Sequence, residues 1–300
     1  MTIRVHIGAH KTATTEMQQA FRRMRARFAE SRMAVVGPKG LRGDWVSLHR
    51  ALFTDDTEAR ARAKTRFGRW LRRHDNHVIS EENIIGGIHR RRIFGGNNQL
   101  YPDAAVNIGL LRELLGNPEI ELFLSIRDPA EFVTSAYGQV LREGVAQDIE
   151  DYTVGYDVAA LSWADLVERL RDCEGVSRVI CWRYEDYAQL RPEVMTMLFG
   201  PELAALVPPA ERHNAGYSQA AYDQFIEWVM DDVDEPFVEL LKRARDMYPK
   251  LPGDPGMRLF PPETYERSRE FYAKDVARLS RIPGATLLWP AGEDPADLPA

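Results

Sequence analysis

Residues 3–21, IRVHIGAHKTATTEMQQAF, constrain the fold more than any other stretch of this chain. Ile3, Val5 and Ile7 alternate with other residues at the period of a strand, and Met17, Ala20, Phe21, Met24 and Phe28 recur at helical spacing. Gly8 stands where the backbone must turn between the two. A strand that feeds through a short loop into a helix brings the unpaired N–H groups of the helix start, and the positive end of its dipole, to the strand end. Lys11, Thr12, Thr14 and Thr15 fall in that turn and add an ammonium and three hydroxyls. The segment predicts a site for an anion of phosphate or sulfate size. The competing reading is a helix capped by threonine and nothing more.

The spacing is not that of the Walker NTPase loop, because Lys11 follows Gly8 by only three positions and no glycine directly precedes it. KTATT instead resembles the 5'-phosphosulfate-binding loop of sulfotransferases that use 3'-phosphoadenosine 5'-phosphosulfate (PAPS), a strand followed by K-[TS]-G-T-T and a helix. The resemblance implies that Gly8, Lys11, Thr12, Ala13, Thr14 and Thr15 hold the donor's phosphosulfate, with Lys11 acting on the leaving phosphate. Ala13 stands where the family has glycine, which costs nothing if that residue is helical and strains the backbone if its φ is positive.

A second strand-to-helix turn follows EIELFLSI, residues 119–126, an apolar and β-forming run. Asp128 suits the N-cap, Pro129 the first helical position and Glu131 the return half of a capping box. Arg127 thereby sits at the carboxyl end of a strand, where open α/β sheets bind ligands, with Ser135 two helical turns further on. RDPAEFVTSAY resembles the same family's 3'-phosphate motif, in which an arginine and a serine eight residues later hold the phosphate that distinguishes PAPS from ATP. The alternative is an arginine paired to a nearby carboxylate and a serine facing solvent. Arg212 and Asn214, before Ser218, resemble an R-x-N-x-S segment that approaches the nucleotide in related enzymes, although asparagine and serine before a helix are ordinary capping chemistry, the reading favoured here.

Transfer to a hydroxyl needs a base. The strand at His77–Ile79 runs into Ser80, Glu81, Glu82 and Asn83, and the family's S-x-E string points to Glu82, with Glu81 as the alternative. Either carboxylate can instead cap a helix or pair with Arg90, Arg91 or Arg92. In LSWADLVERLRDCEGVSRVICWRYEDY, residues 161–187, Trp163, Leu166, Val167 and Leu170 share a helix face and Val179 to Trp182 form a buried strand, which reads as core.

Strands near residues 3–7, 33–36, 77–79, 120–126 and 178–182 with helical patterns between them predict a three-layer α/β fold, doubly wound around a mainly parallel sheet. From Tyr217 onward the pattern is helical: Ala221, Phe225, Trp228 and Val229 on one face, an acidic break with Pro236, then residues 262–281. Together these predict one domain over 1–300, a helical C-terminal subregion at about 208–285 that packs over the nucleotide edge, and a loosely ordered tail at 290–300. The formal charge of −6 argues against general nucleic-acid binding. No run of about eighteen apolar residues and no signal peptide appear, so a soluble cytoplasmic protein is expected. Cys173 and Cys181 lack the context of a disulfide or zinc site, and no HExxH or GxSxG is present, so a metal is not expected. Two basic clusters stand out, residues 60–73 on a helix whose apolar positions are Ala63, Phe67, Trp70 and Leu71, and His89 to Arg92. The first reads as a solvated face, and the second suits an anionic acceptor such as an acidic glycan. Rival readings are a small-molecule kinase of the P-loop type and a nucleotide-binding protein without transfer activity. The sequence leaves the acceptor and the oligomeric state open.

Overall fold

A computed structural model describes residues 2–211, 216–251 and 253–292. Arg212 and Asn214, and residues 293–300 of the expected loose tail, lie outside the described residues. The strands are β1 (Thr2–His6), β2 (Met33–Val36), β3 (Asn76–Ser80), β4 (Phe94–Gly95), β5 (Gln99–Leu100), β6 (Glu119–Ile126), β7 (Val176–Arg183) and β8 (Ala285–Leu287). Six of them form one sheet in the order β2-β3-β1-β6-β7-β8, every neighbouring pair parallel, while β4 and β5 make a separate antiparallel hairpin. This is the α/β, doubly wound architecture that the alternating pattern implies. β8 and the hairpin are additions to the five expected strands.

Successive residues of a strand face opposite sides of a sheet, and here each side has its own core. Ile3 and Val5 of β1, Leu122 and Leu124 of β6, Val179 and Cys181 of β7 belong to one apolar cluster; Phe123, Ile180 and Trp182 belong to the other. Strands covered on both faces read as near-continuous apolar runs, hence EIELFLSI and RVICW. The helices Thr14–Arg23 and Tyr187–Phe199 close one face through Met17, Phe21, Leu190 and Leu198. The helices Thr57–Arg73, Ala104–Leu115, Pro129–Arg142 and Trp163–Arg171 close the other. Trp163, Leu166, Val167 and Leu170 are fully buried, as their spacing predicts.

The C-terminal helices Gln219–Met230, Phe237–Met247 and Pro262–Leu279 gather around Pro129–Arg142. Tyr217 and Met257 press on Gly138 so closely that a Cβ there would lie 2.9 Å from the Met257 methyl. Ala221 and Phe225 are buried as expected, but Val229 is 42% exposed, because its place near the end of the helix carries it past the packed stripe. Cys173 and Cys181 are both free thiols. No helix among the described residues is long and apolar enough to cross a membrane.

Candidate functional site

From β1 the chain winds outward to β2 and β3 on one side, then crosses to β6, β7 and β8 on the other. The carboxyl ends of β1 and β6 thus flank the point where strand order reverses, the place where open α/β sheets bind ligands. Beyond β1 the backbone keeps to β6: the N–H groups of Ile7 and Gly8 donate to the Phe123 carbonyl (3.0 and 3.3 Å), and that of Ala9 to Ser125 (3.1 Å). It then turns through Lys11 (φ 65°) and Ala13 (φ 64°), with Thr12 and Thr14 on the negative-φ side. Alternating handedness of this kind makes a nest, a concavity into which successive N–H groups point. The first helix bonds run from Glu16 and Met17 to the Ala13 carbonyl, and the N–H groups of Lys11 to Thr15 have no partner among the described residues.

One open alternative is decided here and one expectation is corrected. Ala13 is not helical: it is the left-handed N-cap of Thr14–Arg23 and makes no side-chain cap bond, so threonine capping does not explain KTATT. A left-handed L-residue carries roughly 1–2 kcal/mol of strain. The hydroxyls of Thr12 and Thr14 do not project freely into the site but donate to the Ala9 carbonyl (2.7 and 3.4 Å), cinching the loop, while Thr15 is exposed. Gly8 has φ 40°, and a Cβ on it would lie 2.6 Å from Thr14 Oγ1, so glycine is required there.

The second motif meets the first. Arg127 Nη1 donates to the Lys11 carbonyl (3.3 Å), and the guanidinium lies 4.9 Å from the centre of the Tyr184 ring. Trp163 Nε1 donates to the Arg127 carbonyl (2.7 Å), fixing the backbone that carries it. The Lys11 ammonium donates to Gln139 Oε1 (3.4 Å) on the helix that begins beside Arg127. Burial, then the charges of Arg142 and Arg127, bring its pKa down to about 8. Ser135 is half-buried on the same helix, and its hydroxyl makes no hydrogen bond to the described residues. Asp128 caps that helix by accepting from Glu131 N–H (3.1 Å), with Pro129 in the first turn. The capping box stays half-formed: the Glu131 carboxylate turns to Arg127 (3.6 Å) and Arg258 (3.1 Å), and Asp128 N–H donates to Glu185 instead (3.1 Å).

Across the loop, β3 delivers the two glutamates. Glu81 is 1% exposed and takes both arms of Arg42 (2.8 and 2.6 Å) while accepting from Asn83 N–H (3.1 Å). Burial pushes its carboxyl up and Arg42 pulls it part of the way back. Glu82 accepts from Arg42 (2.8 Å) and from Gln18 Nε2 (3.0 Å), so it faces the first turns of the helix that the KTATT loop begins. Burial opposes its charge, but the Arg42 guanidinium and the bond from Gln18 outweigh it and leave the carboxyl below its ordinary value. The partner is Arg42, not Arg90 to Arg92. Arg90 bonds the Val154 carbonyl (2.5 Å) and Arg92 lies over Phe53 (4.1 Å), both carried away from Glu81 and Glu82 by the short helix they begin.

Sequence reasoning missed Arg42, Gln18, Tyr184 and His10. Only His10 had a local signal, since it directly precedes Lys11. The Tyr101 hydroxyl accepts from His10 N–H (3.3 Å) and contacts Nδ1 (2.8 Å), and Nε2 meets Asn83 Oδ1 (3.0 Å). An Nε2–H tautomer satisfies all three, and burial lowers the ring's pKa, keeping it neutral. Among the described residues no cluster of three or more histidine, cysteine or acidic side chains is placed to hold a metal ion.

No protein-family model matches the chain, and no curated protein matches it. Among solved structures, the chain is similar to a sulfotransferase from Alicyclobacillus acidocaldarius at 15% identity, over 93% of this chain and 94% of that one, with a TM-score of 0.43.

Proposed function

We propose that this chain is a sulfotransferase that moves a sulfuryl group from PAPS to an acceptor hydroxyl. The observation that carries the reading is the bond from Arg127 to the Lys11 carbonyl, which holds the KTATT nest against the RDP turn at the strand-order reversal and supports reading the two as one anion site. A donor with phosphate at both its 5' and 3' ends needs two such stations in fixed relation. In this reading the N–H groups of Lys11 to Thr15 and the Lys11 ammonium take the 5'-phosphosulfate, and Arg127 with Ser135 takes the 3'-phosphate. Arg212 and Asn214 are assigned to the nucleotide on the sequence resemblance alone.

The acceptor oxygen attacks sulfur in line, the S–O bond to the 5'-phosphate breaks, and the hydroxyl proton passes to Glu82, which is the base in this assignment. Glu81 serves by holding Arg42. By analogy with phosphoryl transfer the transition state is loose, so positioning and charge neutralisation dominate. The charge that grows on the leaving phosphate falls within reach of the nest and Lys11; one such donor is typically worth about 2.7–4 kcal/mol in the barrier. The acceptor class is a small molecule or glycan bearing a hydroxyl, and the step needs no metal.

The test is transfer of labelled sulfate from PAPS with and without EDTA, alongside thermal shifts with 3'-phosphoadenosine 5'-phosphate (PAP), ATP and ATP plus magnesium. Metal-independent transfer and stabilisation by PAP are expected. Loss of turnover in EDTA, restored by magnesium, would replace this reading with a kinase-like one.

A further inference from the structure

The seven cations of the Thr57–Arg73 helix are not equivalent. Arg60 donates to the carbonyls of Ala51 and Thr54 (3.1 and 3.0 Å), Arg62 pairs with Glu58, and Lys64 reaches Glu113 (4.0 Å). Arg66 donates to the carbonyls of Asp44 and Trp45. Arg69 and Arg73 make no hydrogen bond or ion pair with the described residues, and both are exposed. With Arg66 and Trp70 they follow the i, i+3, i+4, i+7 spacing of a single helix stripe. The stripe borders a groove of about 480 Å³ whose opposite wall is Asp44 and Trp45.

The helix dipole favours a cation in the last turn, but it does not account for the aromatic walls. Trp45 and Trp70 are half-buried, 6.5 Å apart and inclined at 70°, and both rest on Phe67 (5.6 and 6.1 Å). Because Arg66 is tied to the backbone of Asp44 and Trp45, the loop that carries one wall is pinned to the helix that carries the other. Indoles crossed at this angle do not form a sandwich for a flat base. They present a floor and a side wall, which suits a puckered ring with an apolar C–H face.

We propose that this groove is a second binding site, for an acidic saccharide bearing sulfate or carboxylate groups. Arg69 and Arg73 lie one helical turn apart and offer two planar forks, each matched to a carboxylate or sulfate. Spaced anions on neighbouring sugar positions use both forks, whereas one small anion uses one. The exposed Asp44 carboxylate accepts from sugar hydroxyls. None of the groove residues belongs to the phosphate loop, the Arg127 turn or the Arg42–glutamate cluster. The proposal therefore stands whether or not the chain transfers sulfate.

Calorimetric titration of the full chain tests it, with a sulfated uronate-containing disaccharide, its desulfated counterpart and inorganic sulfate at about 0.15 M ionic strength. The sulfated disaccharide is expected to bind best. Arg69→Ala with Arg73→Ala should weaken it at least tenfold and lower the melting temperature only slightly, since neither side chain has a hydrogen-bond or ion-pair partner among the described residues and only the interaction of Arg73 with the helix dipole is lost. Arg62→Ala, which removes a paired cation off the stripe, should leave the affinity nearly unchanged. The proposal is overturned if the wild type binds no acidic saccharide, if the double variant binds as the wild type does, or if inorganic sulfate binds as tightly as the disaccharide. Tighter binding of a short single-stranded oligonucleotide, lost in the same double variant, would overturn it in favour of a nucleic-acid site.

Discussion

Arg127 and Lys11, 116 residues apart in sequence, are joined by a hydrogen bond of 3.3 Å from Nη1 to the carbonyl oxygen of Lys11. The bond gives Arg127 two tasks in the proposed function: bracing the loop, and leaving its remaining donors for a 3'-phosphate. The two separate by ligand. Arg127→Ala should raise the Kd for PAP at least tenfold, because a hydrogen bond to a charged group contributes about 1.5–3 kcal/mol. Adenosine 5'-monophosphate, lacking the 3'-phosphate, should lose only the bracing part. Calorimetry on both ligands reads the difference, and equal weakening would reduce Arg127 to a loop brace.

Lys11 gives a pH signature. Its folded-state pKa of about 8 lies below the ordinary 10.5, because burial and two guanidinium charges disfavour the ammonium. An anionic nucleotide needs that ammonium, so PAP affinity should level off between the phosphate titration at about pH 6 and the Lys11 titration at about pH 8 and fall above it, approaching tenfold per unit. Stability moves the other way. Between pH 8 and 10.5 the unfolded chain binds more protons at this group, so its contribution to stability rises with pH across that window. In Lys11→Arg the side chain stays charged, and the inflection in Kd near pH 8 should vanish whatever the absolute affinity.

The parts of the site legible in the sequence are those set by local spacing. The KTATT nest and the RDP turn each lie within one strand-loop-helix unit, where periodicity, a glycine and a capping residue fix the path. The sequence pattern also placed five of the six strands of the main sheet, each within two residues. β8 escaped because three residues carry no usable period, and the β4–β5 hairpin because its strands are two residues each. Arg42 escaped for a different reason. Its pairing with Glu81 and Glu82 spans some forty positions and depends on where the segment after β2 lands, which no local pattern encodes. The half-formed capping box has this cause only in part: Glu131 is drawn to Arg258, far away in sequence, but also to Arg127 four positions before it, the local pairing that the sequence left open as an alternative.

The two glutamates should separate cleanly on substitution. Glu82→Gln keeps a hydrogen-bonding side chain beside Gln18 and Arg42 but cannot take a proton, so sulfate transfer should fall at least a hundredfold, in the range typical of a lost general base. PAP affinity should stay close to wild type. Glu81→Gln takes a buried carboxylate from under the Arg42 fork and should cost about 1–3 kcal/mol of stability, with a smaller loss of turnover through the disturbed Arg42. Denaturant melts and initial rates on both variants decide the matter; a dead Glu81→Gln with an active Glu82→Gln would exchange the roles.

Ala13 offers a test of backbone strain against side-chain packing. Its left-handed backbone, φ 64° and ψ 12°, is the conformation that glycine adopts without strain. Ala13→Gly relieves roughly 1–2 kcal/mol in the folded state. Against this stand the greater chain entropy of the unfolded glycine variant, about 0.4–1 kcal/mol, and the loss of a methyl group packed beside the Met17–Phe21 cluster. The net change should lie within about 1 kcal/mol of zero, a shift of at most a few degrees in Tm for a chain of this size. Nucleotide binding should be kept, because the nest needs its N–H groups and not the methyl. Ala13→Val is the opposing variant: a β-branched residue at positive φ should lower Tm by several degrees and weaken PAP binding along with it. A glycine variant that melts well below the wild type would mean that the methyl contact outweighs the backbone strain at this position.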